Sequence, residues 1–178
     1  MTLTSLLPTL RRSIPDPLAR DVWPVHTVAA RDDLVIGGVS LVRFVALCDT
    51  PAVMTAPAVI PLSGGVASLT ATTSVIAVRI VRVERSDGAA ALPTLVLDGA
   101  FTACAPEWSH ARVVGRICVG ADRRFAVSEA AGRAVDAVTL LLPGDVTAGD
   151  VLAVPCVGAV SVGDVRPTEP ARSVLGAA

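Results

Sequence analysis

"TLVLDGAF" (94–101), "VVGRICVGAD" (113–122) and "GDVLAVPCVGAV" (149–160) are the stretches whose reading decides the fold. The first is an apolar run closed by Asp98-Gly99, residues that let a strand stop and turn. The second is a short β-branched strand that delivers Cys118 and, four residues on, Asp122. The third opens with a turn signal at Gly149-Asp150 and continues as a buried strand, Val151 to Val154, which Pro155 is expected to end. Three core strands of a β-domain follow.

Working outward, Ser74 to Val83 is a further strand. Ile76, Val78 and Ile80 alternate on one face, and Val81 and Val83 then take the opposite phase, which predicts a bulge near Ile80. "RSDGAAALP" is a hairpin-type connection into the first quoted strand. "AVDAVTLLLP" is another strand, preceded by a helical turn over 129–134 for which Ser128 is the cap. Asp32-Asp33 turns the chain into the short strand "LVIGGV". Ser40 then caps a helix from Leu41 to Leu47, with Val39 and Phe44 placed as a hydrophobic staple. Leu41, Phe44, Val45 and Cys48 share one face of it. Residues 49–73, rich in Pro, Ala, Gly, Ser and Thr, hold at most one short strand, which Pro57 and Pro61 confine to an edge. Thr4 or Ser5 caps a short N-terminal helix limited by Pro8, and "RRSIPDPLARDVWP" is an extended arm that packs on a neighbour or frays.

The fold class expected is therefore all-β, a mainly antiparallel β-barrel or sandwich, with one or two short helices. Residues 1–30 are an arm, 31–170 a single β-domain and 171–178 a loose tail. Hydrophobic residues make up 52% of the chain and charged ones 17%, which leaves more apolar surface than one small domain hides and points to a homodimer. A net charge of −1 supplies no basic stripe for nucleic acid, and no apolar run is long enough to span a bilayer. Arginines after the first apolar run and Pro8 within it make a poor targeting signal, so the expected location is cytoplasmic. Four scattered cysteines, Cys48, Cys104, Cys118 and Cys156, have no CxxC pairing and are expected as buried free thiols.

The ordered motifs resemble the C-terminal β-domain of the pyridoxal-phosphate decarboxylases of the alanine-racemase-like fold, diaminopimelate decarboxylase most of all. The matching residues are Asp98-Gly99 with Pro106, Gly115 with Cys118 and Asp122, Gly149-Asp150 with Gly158-Ala159, and Arg166-Pro167 with Glu169. "VWPVHT" and "DDLVIGGVSLVRFVALCDTP" are similar to the opening of the same enzymes. In those relatives a barrel of over two hundred residues stands between the two segments. Here residues 49–73 occupy its place, and two family tyrosines are replaced. All fifteen basic residues are arginine, so no side-chain amine exists to form an imine with pyridoxal phosphate. No cofactor is expected.

The resemblance implies that Cys118 and Asp122 line a site at the dimer interface, on a face shared with Gly158. Arg116, Arg123 and Arg124 offer charge to Cys118, and His110 offers a base. Glu107, Trp108 and His110 form a second cluster with an acid, a flat apolar wall and a base within four residues. The plainer alternatives are a packed thiol at Cys118 and a polar rim at Glu107 and His110, with Trp108 packed on the N-terminal arm. His26 is unexplained, and Arg79, Arg82, Glu84 and Arg85 form a solvated strand face. Two histidines without HxH or HxxxH spacing give no metal site. Two functions are expected from this: a small biosynthetic enzyme or ligand-binding protein that orients a hydrophobic small molecule, or a pseudoenzyme that docks on a complete decarboxylase or another partner.

Overall fold

One strand of eighteen residues, Ala67–Glu84, joins the two halves of the protein. The computed structural model describes residues 2–85, 92–130 and 134–167. In chain order these form α1 (Leu3–Leu6), β1 (Thr27–Ala29), β2 (Leu34–Ile36), β3 (Val39–Ser40), α2 (Leu41–Cys48), β4 (Ala52–Val59) and the long β5 (Ala67–Glu84). Then come β6 (Thr94–Leu97), β7 (Ala105–Pro106), β8 (Arg112–Val114), β9 (Asp122–Glu129), β10 (Ala134–Pro143), β11 (Val151–Val157) and α3 (Val162–Val165). The protein is thus mostly β, a curled half-barrel sheet with three short α-helices rather than one or two. None of the described helices is long and apolar enough to cross a membrane.

The first half of β5 pairs antiparallel with β4 on one side and β11 on the other, and its second half pairs with β6. β6 runs parallel to β9, which pairs antiparallel with β10, while β8 and β7 share the far edge of β11. Ile80 opposes Leu97 and Arg82 opposes Val96, so Val81 is the extra residue of the bulge expected there. Asp98 fastens this point: its carboxylate accepts the Arg79 backbone N–H at 2.8 Å and the Thr50 hydroxyl. Gly99 follows because a Cβ there would stand 2.6 Å from Val78 Cγ1.

Both faces of β5 are covered. Ile76, Val78 and Ile80 join Leu95, Leu97, Phe125, Leu140, Leu142, Leu152 and Val154 in one core. Val75 and Ala77 face a second core built from Trp23, Leu34, Ile36, Leu41, Val45 and Ala153. This second core explains α2, which packs on the β-domain through Leu41 and Val45. Ser40 caps it as expected, accepting the Arg43 N–H, but the helix continues to Cys48, which is exposed and lies off the buried face. A tight turn at Gly37 (φ 56°) and Gly38 (φ 85°) splits "LVIGGV" into β2 and β3.

Four other expectations change. Residues 49–73 are largely sheet: β4 and the start of β5 form a hairpin, because Pro57 lies on the free edge and its carbonyl accepts the Val25 N–H. β11 does not end at Pro155, which falls between the residues paired with β8 and those paired with β7, where no ladder N–H is required. Residues 122–129 form β9, so Ser128 and Glu129 sit in a strand rather than at a helical turn; 131–133 lie outside the described residues. The centre of "RSDGAAALP" (86–91) and the tail from 168 lie outside them too. At the N-terminus Thr2, not Thr4 or Ser5, caps α1, and Pro8–Arg12 is a 3₁₀ turn that packs on the chain's own sheet.

Leu152 is fully buried whereas Leu69 is fully exposed. Leu152→Ala is expected to cost about 2–5 kcal/mol in urea unfolding, and Leu69→Ala less than about 0.5 kcal/mol.

Candidate functional site

The N-terminal arm folds back over the loop that follows β8 and closes a cleft of about 320 Å³. Its key residue is Arg11, buried to 7% exposure in the 3₁₀ turn. The Arg11 guanidinium donates to Asp122 Oδ1 at 2.7 Å, to Asp16 Oδ2 at 3.0 Å and to the Gly120 carbonyl at 3.1 Å. Ser5 Oγ donates to the other Asp122 oxygen at 2.8 Å. Asp122 is therefore fastened through both oxygens to the arm.

The loop between β8 and β9 is shaped to present these groups. Gly115 has φ 92°, so the strand stops at Val114 and does not continue to Cys118. Gly120 has no room for a side chain, since a Cβ would lie 2.7 Å from the Asp145 nitrogen. Arg116 is held bidentately by Asp150 at 2.6 and 2.7 Å and also donates to the Asp145 carbonyl at 2.6 Å. Burial works to raise the Asp145 carboxyl, but backbone N–H groups of Val119, Gly120 and Asp145, with Arg116, hold it below the usual range.

Cys118, His110 and Asp122 all line the cleft, together with Arg11, Arg112, Arg116 and Asp16. Glu107 does not: it is exposed, and its backbone N–H bonds to the Pro155 carbonyl. Trp108 packs edge-on against Phe101, with ring centroids 4.7 Å apart, rather than on the arm. Arg123 and Arg124 are exposed on β9. Arg82 and Glu84 form an exposed pair at 2.7 Å, as expected of a solvated strand face. His26 lines a separate groove of about 630 Å³ with Trp23, Pro24, Val59 and Gly64.

Cys118 is 5% exposed, and its thiol is pushed up to about 11 by burial, with Arg116 opposing that rise. At neutral pH it is a packed thiol, not a nucleophile. The decisive residue of the cleft is Arg112, which spacing did not single out. Its Nη2 lies 3.6 Å from Asp16, and its side chain is 16% exposed. Burial lowers its pKa, and Asp16 only partly compensates while Arg11 adds to the lowering. Among the described residues two buried side-chain polar atoms lack a hydrogen bond, Arg112 Nη1 and Asp145 Oδ1. The second has the Gly120 N–H beside it, whereas the first is a buried cationic donor with nothing to donate to. No group of three or more His, Cys, Asp or Glu among the described residues is placed to hold a metal.

No protein-family model, curated protein or solved structure matches this chain.

Because the folded chain holds the Cys118 proton more tightly than the thiol's ordinary 9.0, its stabilisation is complete below pH 9.0 and lost as pH rises through about 11. Iodoacetamide labelling of Cys118, read in the 117–123 fragment, is expected to keep accelerating past pH 9.0, with its midpoint near 11. A plateau at neutral pH would show an activated thiolate instead.

Proposed function

We propose that this chain is a β-domain, of decarboxylase descent and without pyridoxal-phosphate chemistry, that binds a small organic acid in the cleft under its N-terminal arm. One observation carries the reading: Arg112 Nη1 is buried in that cleft without a partner. A desolvated guanidinium matches a carboxylate in charge and in the fork of its N–H groups, and such a bond is worth about 2 kcal/mol. Leu18, Ala19, Leu34, Ala111 and Val113 line the same cleft and suit an aliphatic body behind the acid group. Binding is favoured over catalysis because Asp122 is committed to Ser5 and Arg11 and Cys118 keeps its proton. The descent rests on the ordered motifs from Asp98-Gly99 to Gly158-Ala159.

Calorimetry with a series of aliphatic monocarboxylic acids, and the matching amides as controls, tests this. The acids are expected to bind, the amides to fail, and Arg112→Met to weaken the acids at least about tenfold. The same substitution is expected to leave stability unchanged or raised, since it removes an uncompensated buried charge. Equal binding of acids and amides, or no effect of Arg112→Met, would overturn the anchor.

The docking alternative has separate support. Leu3, Leu6 and Leu7 of the arm are 66%, 57% and 56% exposed beside the fastening to Asp122. A homodimer or a partner on the Cys118 and Asp122 side would meet this outer face of the arm rather than those two residues. Light scattering is expected to report a dimer that Leu6→Glu with Leu7→Glu splits; a monomeric wild type would leave only the cleft.

A further inference from the structure

Cys104 and Cys156 lie outside the cleft and take no part in the proposed binding. Cys156 is in β11, where it opposes Pro106 of β7 and is fully buried. Cys104 comes two residues before Pro106, partly exposed, and packs against the same core that contains Cys156. The register of a two-residue strand thus brings together two thiols separated by more than fifty positions.

The supports of both are rigid. Cys104 Sγ donates to the Phe101 carbonyl at 3.4 Å, and its backbone N–H is directed to the same oxygen. The Phe101 N–H is in turn held by the buried carboxylate of Glu129 at 2.9 Å, and its ring is packed by Trp108. The neighbouring Ala100 N–H bonds to the Val165 carbonyl of α3. On the other side, β11 is clamped by β5 along its whole length. Both thiols pack in one core on fixed backbones, and a bond between them requires Cα atoms within about 7 Å.

We infer that Cys104 and Cys156 form a redox-active dithiol, which closes to an intrachain disulfide when the protein meets a peroxide. The two thiols are electrostatically coupled: Cys156 is pulled down to about 7, first by Cys104 and then by the Ala105 N–H. The same coupling raises Cys104 in turn, so the pair releases one proton near neutrality and keeps the other. Glu107, Glu129 and Asp164 act against a thiolate here, so the neighbouring thiol and the Ala105 N–H are what make one available.

Solvent reaches Cys104 and not Cys156, so Cys104 is the entry point. In the singly protonated pair the remaining proton can sit on Cys156, and the Cys104 thiolate so formed attacks one peroxide oxygen; the S–O bond forms, the O–O bond breaks, and hydroxide leaves. Cys156 sulfur then attacks the resulting sulfenic sulfur, the S–S bond forms, the S–O bond breaks, and a second hydroxide departs. With the two thiol protons taken up, two thiols and one hydrogen peroxide become one disulfide and two waters.

The four cysteines fall in four different arginine-bounded fragments, 44–79, 86–112, 117–123 and 134–172, so cleavage at arginine identifies any link. Treating the whole protein with hydrogen peroxide is expected to lower the titratable thiols from four to two, with fragment 86–112 joined to 134–172 and dithiothreitol reversing the change. The doubly substituted Cys48→Ser, Cys118→Ser protein is expected to form the same link, and Cys104→Ser to form none. Persistence of all four thiols, a link through Cys48 or Cys118, or over-oxidation of Cys104 without a link would each overturn the inference.

Discussion

A strand buried on both faces has no side on which to put polar residues, and β5 meets that constraint from Val75 to Val78. Its even positions anchor one core and its odd positions the other, so two hydrophobic layers share a single backbone. The exception is Arg79, and it falls immediately before the Val81 bulge. There the ladder is interrupted, its backbone N–H is taken over by Asp98, and its side chain leaves the sheet to meet Asp49 at 2.8 Å. The bulge lets β5 leave β11 and join β6, which is how one strand serves both halves of a curled sheet.

The cleft depends on this frame but uses a different currency, buried charge. Taking an ion out of water costs several kcal/mol unless hydrogen bonds replace its hydration. Arg11 has such replacements in Asp122, Asp16 and the Gly120 carbonyl, and Arg116 has them in Asp150 and the Asp145 carbonyl. Arg112, with Asp16 3.6 Å from one nitrogen and nothing on the other, does not. The three neighbouring arginines thus divide into two whose guanidinium groups are well paired and one that is only partly paired. Cys118 and Asp122, the residues that motif order made prominent, are in this light part of the wall: one keeps its proton and the other holds down the arm.

Elements with local signatures were legible in the sequence. The Ser40 cap, the change of phase at Ile80, the Asp98-Gly99 stop and the mainly β class all follow from neighbours within a few positions, where propensity and sterics act directly. Pro155 misled, whereas Pro57 did mark an edge strand, though a longer one than expected. A proline's tolerance depends on whether its missing N–H faces a partner, and that is decided by which strands lie alongside: a gap between β7 and β8 in one case, a free edge in the other.

By itself the sequence determined that strands would dominate and that imine chemistry on a side-chain lysine is closed to this chain, while the fold placed Cys118, Asp122 and His110 in one cleft. The tertiary structure alone decided what those residues do. Ser5 and Arg11 reach Asp122 across 117 and 111 positions, and Arg112 Nη1 is left without a hydrogen bond in the cleft that the arm lines. Ion pairs of this kind leave no periodicity in the chain; they exist because a folded surface brings two distant charges out of water together, and only the fold says which charge is left over.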